Sequence, residues 1–171
     1  EHKSQYSTPT PYSSFPNKNS QEITFYFSKG NPKHGDFEVD KSDTNFITES
    51  FTDNYKVTFE KMFEKVDSSE HRLLYLTPIL KEDLHLSGIP KVTITLSSKA
   101  EAANLSVALV SLPWEKVKSK YMYDNIVNRG WADPQNYKSI SESEKLDSTK
   151  FYTLTFEMMP DDQIIRKGQQ L

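Results

Sequence analysis

Residues 91–97 read KVTITLS, with Val92, Ile94 and Leu96 on one face of an extended chain and the polar side chains on the other. A strict period of two is what a half-buried strand requires, because successive side chains point to opposite faces. The same pattern recurs on both sides of it. NLSVALVSL (104–112) puts Leu105, Val107 and Leu109 on one face. FYTLTFEMM (151–159) puts Tyr152, Leu154 and Phe156 on one side and Thr153 and Thr155 on the other. RLLYLTP (72–78), LHLSG (84–88) and QIIRK (163–167, running into Gly168) add three shorter strand candidates. Strands separated by short turns, with almost no long helical period, predict an all-β chain folded as an antiparallel sandwich or barrel.

Toward the N-terminus the pattern weakens. Residues 1–20 mix Ser, Thr, Asn and three prolines with isolated aromatics, the composition of a linker or surface-lying extension. ITFYF (23–27) reads as a strand ending at the turn cluster Lys29-Gly30-Asn31-Pro32, and DFEVD (36–40) as a weaker one. Tyr55, Val57 and Phe59 alternate with Lys56 and Thr58 as in a half-buried strand. Phe59, Met62, Phe63 and Val66 fall at helical spacing, so residues 60–66 form either a short helical turn or a further strand. The expected organisation is an extension over 1–20 and one β-sandwich domain over 21–171.

Composition bounds the function. The chain has 171 residues, 35% hydrophobic and 26% charged, with 21 basic and 24 acidic side chains spread along its length. No basic block tracks a phosphate backbone, which speaks against a nucleic-acid partner. The apolar runs are too short to span a bilayer as a helix, and no signal segment opens the chain, so no membrane partner is expected. There is no cysteine, which removes disulfides, thiolate zinc sites and cysteine nucleophiles. A chain opening on Glu1 rather than Met is expected to be a piece of something longer, or a processed product.

Candidate chemistry is sparse. The five glycines stand at 30, 35, 88, 130 and 168, so the G-x-S-x-G turn of an α/β-hydrolase nucleophile is absent. His2, His34, His71 and His85 form no paired ligand motif, and His85 is expected to be a surface or half-buried strand residue. Asp161-Asp162 and the group Glu142, Glu144 and Asp147 read as solvated turns, lacking the spaced ligands of a calcium loop. Accordingly no catalytic, cofactor-binding or metal-binding residue, and no cofactor, is expected. Ten Phe, nine Tyr and two Trp keep one rival open, a carbohydrate-binding module with an aromatic platform. Most of these aromatics sit at alternating positions that a core would use.

Four segments together point to a family. HRLLYLTPILKEDLHLSGIPKVTITLSS (71–98), ANLSVALVSLPW (103–114), IVNRGWADPQN (126–136) and FYTLTFEMMPDDQIIRKGQQL (151–171) stand in a characteristic order and spacing. They resemble the C-terminal non-catalytic domain of bacterial X-Pro dipeptidyl-peptidases, with similar domains in cocaine esterases and α-amino-acid ester hydrolases. The similarity is specific over about 71–171, weaker over 22–70 and unrecognised in 1–20.

The resemblance implies a jelly-roll-like, galactose-binding-like β-sandwich packed on an α/β-hydrolase domain of the same polypeptide. That domain would carry the Ser-His-Asp triad, release Xaa-Pro dipeptides from peptide N-termini and act in the cytoplasm. The alternatives are a ligand-binding jelly roll, or the same domain from an ester hydrolase.

Within this frame NIVNRGWADPQN (125–136) reads as scaffold. Gly130 would make a tight turn, and Asp133-Pro134 an extended exit. Trp131 would bury its ring at the sandwich edge or against the catalytic domain, with Arg129 bridging to Asp133. The chain departs from the family at its end, with Gln169 in place of the usual His after Gly168. The family segment is also followed by further strand, whereas this sequence stops at Leu171, so closing strands are expected to be missing. The exposed edge would be covered by residues 1–20 or, preferentially, by a second copy in a homodimer.

Overall fold

A computed structural model describes residues 11–31, 34–39, 48–58, 71–113 and 125–171. It is built from strands β1 (Tyr26–Asn31), β2 (His34–Glu38), β3 (Tyr75–Leu76), β4 (Leu84–Gly88), β5 (Lys91–Leu96), β6 (Leu105–Val110), β7 (Ile126–Ala132), β8 (Tyr152–Glu157) and β9 (Asp161–Ile165). One 3-10 turn, Pro134–Asn136, follows β7. The first three strands form a sheet of order β1-β2-β3, antiparallel then parallel.

The remaining six pair as β4 with β9, β5 with β8 and β6 with β7, every pair antiparallel. The pairing is nested: residues 84–110 run out as one arm and 126–165 return along it as the other. The domain is all-β and sandwich-like.

The alternation that predicted these strands is the burial that stabilises them. Val92, Ile94 and Leu96 pair across the ladder with Phe156, Leu154 and Tyr152. Tyr152 and Leu154 are buried with Leu146, packed by Leu96, Ala103, Ala132, Tyr137 and Phe156. A second cluster joins Val127, Ile165 and Leu171 to Phe37, Leu80, Leu84, Leu86 and Leu109, and a third joins Leu76, Val110 and Leu112. Each fully buried aliphatic side chain contributes about 1.5–3 kcal/mol. On the opposite face of β5 and β8, Thr93 bonds Thr155 at 2.9 Å and Thr95 bonds Thr153 at 2.8 Å, a polar ladder open to solvent.

Several expectations need correction. The strand expected at 23–27 is β1, which starts at Tyr26 and runs through the residues assigned to a turn, Lys29 to Asn31. The strand expected over 55–59 is a turn in its described part: Asn54 Oδ1 accepts the Lys56 N–H at 3.1 Å and Val57 N–H reaches the Asn54 carbonyl at 2.8 Å. An asparagine side chain that captures the amide two residues on outcompetes a weak β pattern. The helical turn expected at 60–66 lies outside the described residues.

Residues 125–136 are not a turn centred on Gly130 but contain strand β7, which the sequence pattern did not reveal. Asp161 and Asp162, read as a solvated turn, open β9.

Residues 168–171 have partners on two sides. Gly168 N–H bonds the Leu80 carbonyl, and the Leu171 carbonyl takes the Thr77 N–H. Gln170 exchanges both backbone bonds with Leu112 at 2.8 Å. Leu171 is 3% exposed. Within 168–171, then, the backbone is paired toward Thr77, Leu80 and Leu112.

Candidate functional site

Among the described residues, two places bring functional side chains together. The first is the outer face of β4 and β9. His85 and Ser87 alternate onto that face, opposite Ile164 and Asp162. His85 Nε2 donates to Asp162 Oδ1 at 2.7 Å, and Ser87 Oγ donates to Asp162 Oδ2 at 2.7 Å. These two donors, His85 first, hold the Asp162 carboxyl below its usual range. The residue types are those of a hydrolytic triad, but the connectivity is not. In a triad the serine proton goes to the imidazole, and the carboxylate orients the far side of that ring. Here the serine gives its proton to the carboxylate directly. The Ser87 hydroxyl also accepts the Asn17 N–H at 3.2 Å, and Tyr12 stacks at an angle over His85, ring centres 6.0 Å apart. Residues 12–17 thus lie across this face as a strap.

The second place is a groove of about 360 Å³ between β7 and the corner joining β8 to β9, lined by Ile126, Val127, Asn128, Arg129, Met159, Pro160 and Asp161. Its floor is set by Asn128, which is buried. The Asn128 amide behaves as an extra peptide group. Nδ2 donates to the Met159 carbonyl at 2.7 Å, while Oδ1 accepts Met159 N–H at 3.1 Å and Arg129 N–H at 2.7 Å. Gln163 Nε2 ties the same corner to the Val127 carbonyl at 3.2 Å. Asp161 Oδ1 accepts the Asp162 N–H at 2.9 Å, whereas its Oδ2 is buried without a partner. Burial pushes the Asp161 carboxyl up.

Gly130 sits beneath this strand. Its φ is not in the left-handed region, which among described glycines is reached only by Gly88 and Gly168. What requires glycine is space, because a Cβ at 130 would stand 2.9 Å from Met158 Cγ and 3.1 Å from Phe156 Cε2. Trp131 is 58% exposed on the outer face, opposite Ser106, and not buried at a sandwich edge. Asp133 accepts from Asn104 Nδ2 at 2.9 Å. Of the acidic loop group, Glu144 pairs with Lys138 at 2.6 Å and Asp147 accepts the Thr149 N–H and hydroxyl. Among the described residues no three His, Asp or Glu side chains converge as metal ligands.

Sequence reasoning singled out His85, Asp161 and Asp162 separately and missed both Ser87 and Asn128. The signal for the first cluster was available in part: LHLS puts His85 and Ser87 two apart on one strand face. Nothing in the sequence announced that Asp162 would lie opposite.

Comparisons with known proteins place these features in context. Residues 1–171 match the family described as X-Pro dipeptidyl-peptidase C-terminal non-catalytic domain, and so include the first twenty residues, where no likeness was recognised. A Rhodopirellula baltica protein with the provisional name Xaa-Pro dipeptidyl-peptidase is 42% identical over 99% of this chain and 27% of its own length. Similarly named proteins of Bacillus anthracis and Bacillus cereus are 36% and 40% identical, over 71% and 59% of this chain and 19% and 16% of theirs. The chain thus spans about a quarter or less of the curated relatives it matches. A selenomethionine-labelled α-amino acid ester hydrolase superposes with a TM-score of 0.48 at 20% identity, over 56% of this chain and 16% of that one.

Proposed function

The chain belongs to the family of X-Pro dipeptidyl-peptidase C-terminal non-catalytic domains, and from that premise we propose that it is the accessory domain of a serine Xaa-Pro dipeptidyl-peptidase. Its partner is an α/β-hydrolase catalytic domain in the same polypeptide, and the whole enzyme removes Xaa-Pro dipeptides from peptide N-termini in the cytoplasm. The observation that carries this reading is the family match over all 171 residues of a chain that spans 27% of a dipeptidyl-peptidase-named relative. In the β4–β9 cluster the Ser87 hydroxyl hydrogen-bonds the Asp162 carboxylate and not the His85 imidazole, so the bonding order of a Ser-His-Asp triad is not formed there.

We further propose that the nested strand pairs form a jelly roll over 21–171, with 1–20 as an extension whose described part straps β4. A homodimer is a further proposal, tested by light scattering over a concentration series.

One observation favours a rival, the exposed ring of Trp131, as on a sugar platform. Sugar hydroxyls need free polar partners, however, and of those lining the neighbouring groove the Asn128 amide is committed to Met159 and Arg129 and Asp161 Oδ1 to its own corner, leaving Asp161 Oδ2. The test is direct. The purified 171-residue chain should not hydrolyse Ala-Pro-p-nitroanilide, while the full-length enzyme should. Turnover that follows the chain through purification and disappears in Ser87→Ala would sink the proposal.

A further inference from the structure

Resting on that reading, we propose which face of the domain receives the catalytic portion of its own polypeptide. It is the outer side of β7 together with the Met159–Asp161 corner, with an apolar side chain of the catalytic portion seated in the groove and its surroundings packed on Trp131. The outer surfaces of the three nested pairs differ in what they offer. On β5 and β8 the outer positions are the threonine ladder and the Lys91–Glu157 ion pair at 3.5 Å, which have no apolar side chain to bury. On β4 and β9 the strap of residues 12–17 already lies over His85 and Ser87, and Ile164 is the one exposed apolar residue there. On β7 and the adjoining corner, Trp131 is 58% exposed and Met159 56% exposed. Trp and Met are among the residues enriched at interface cores, where a few large side chains dominate affinity.

The groove next to Trp131 has a preformed floor and an apolar character. Asn128 locks β7 to Met159 through two hydrogen bonds and accepts a third from its neighbour Arg129, and Met158 is buried against Gly130 below. Because the Asn128 amide and Asp161 Oδ1 are consumed internally, the groove presents to a visitor chiefly the carbon of Ile126, Val127, Met159 and Pro160, with Arg129 and the Asp161 carboxyl on its polar side. Its volume, about 360 Å³, lies at the low end of clefts that hold a small ligand, and suits one or two large side chains.

The occupant is identified by what is missing. A non-catalytic domain that spans 27% of a relative's length leaves about three-quarters of that polypeptide to contact it. A tethered neighbour is held at high effective concentration, so even an interface of modest area is occupied.

Photo-cross-linking in the full-length enzyme tests this. p-Benzoylphenylalanine is placed at position 131, 159 or, as control, 155 on the threonine ladder, and adducts are mapped by mass spectrometry. A lysine-reactive cross-linker is applied in parallel. Adducts from 131 and 159 to the catalytic portion, with none from 155, are expected. Lysine adducts between the two portions without any from 131 or 159 would overturn this face and leave the docking reading standing. Adducts from neither reagent would overturn both. Dimer-sized adducts from 131 or 159 would give the face to a second copy. Glycan-array binding lost in Trp131→Ala would give it to a sugar.

Discussion

Replacing Gly130 by alanine separates a turn glycine from a packing glycine. If Gly130 served a turn in the left-handed region, alanine would be strained by its backbone. In β7 that strain is absent, and the backbone contribution has the opposite sign: alanine narrows the unfolded ensemble and stabilises by about 0.4–1 kcal/mol. Against this stands the contact. The new methyl would lie 2.9 Å from Met158 Cγ and 3.1 Å from Phe156 Cε2, both inside the range in which a neighbour must yield. Met158 is buried, and Phe156 belongs to the cluster around Leu154, so neither can simply swing into solvent. Overpacking of this kind costs about 1–3 kcal/mol. The net expectation is a loss of about 0.5–2 kcal/mol, read from urea midpoints at unchanged slope. The cause is isolated by a double-mutant cycle. Met158→Ala, destabilising alone, should shrink the loss caused by Gly130→Ala, because it removes the nearer of the two atoms that are struck. A Gly130→Ala variant as stable as the parent, or an equal loss in the Met158→Ala background, would refute the packing argument.

Asn128→Ala should cost about 2–3 kcal/mol, since it strips the Met159 carbonyl of its partner in a buried corner; hydrogen exchange at Met159 should rise with it. The neighbours Asp161 and Asp162 should respond to pH with opposite sign. Asp162, held below 3.8 by His85 and Ser87, contributes stability that is present above pH 3.8 and lost as pH falls through its folded value. The deficit of Asp162→Asn should therefore be seen at pH 6 and vanish in acid. Asp161, pushed above 3.8 by burial, costs stability as pH rises through its folded value, so Asp161→Asn should gain at pH 7 and lose that gain below 3.8. Asp162 is largely open to solvent, which keeps its effect under about 1 kcal/mol, whereas Asp161 is partly buried and should show the larger change; urea midpoints at several pH values decide it.

What was legible in the sequence follows from which faces of each strand are buried. β4, β5, β6 and β8 each place apolar residues inward and polar ones outward, so the period of two survives in the sequence. β7 inverts the rule. Its core-facing positions include Asn128 and Gly130, and its outward position carries Trp131. Asparagine and glycine are turn residues by local preference, yet here one serves as a substitute peptide group and the other as clearance for Met158. Apart from the Arg129 N–H that Asn128 accepts, the partners stand at 156–159, nearly thirty residues on. The groove is illegible for the same reason, because it exists only once the corner after β8 is folded against β7.

The inversion also bears on function. A strand with its polar groups satisfied inward and its largest aromatic outward is poorly suited to an edge of an isolated domain. It is well suited to a surface on which a second domain closes. The family match and the exposure of Trp131 and Met159 therefore bear on one question from independent directions, one from the chain's relatives and one from its side chains. Photo-cross-linking at positions 131 and 159 is the measurement on which the two must agree.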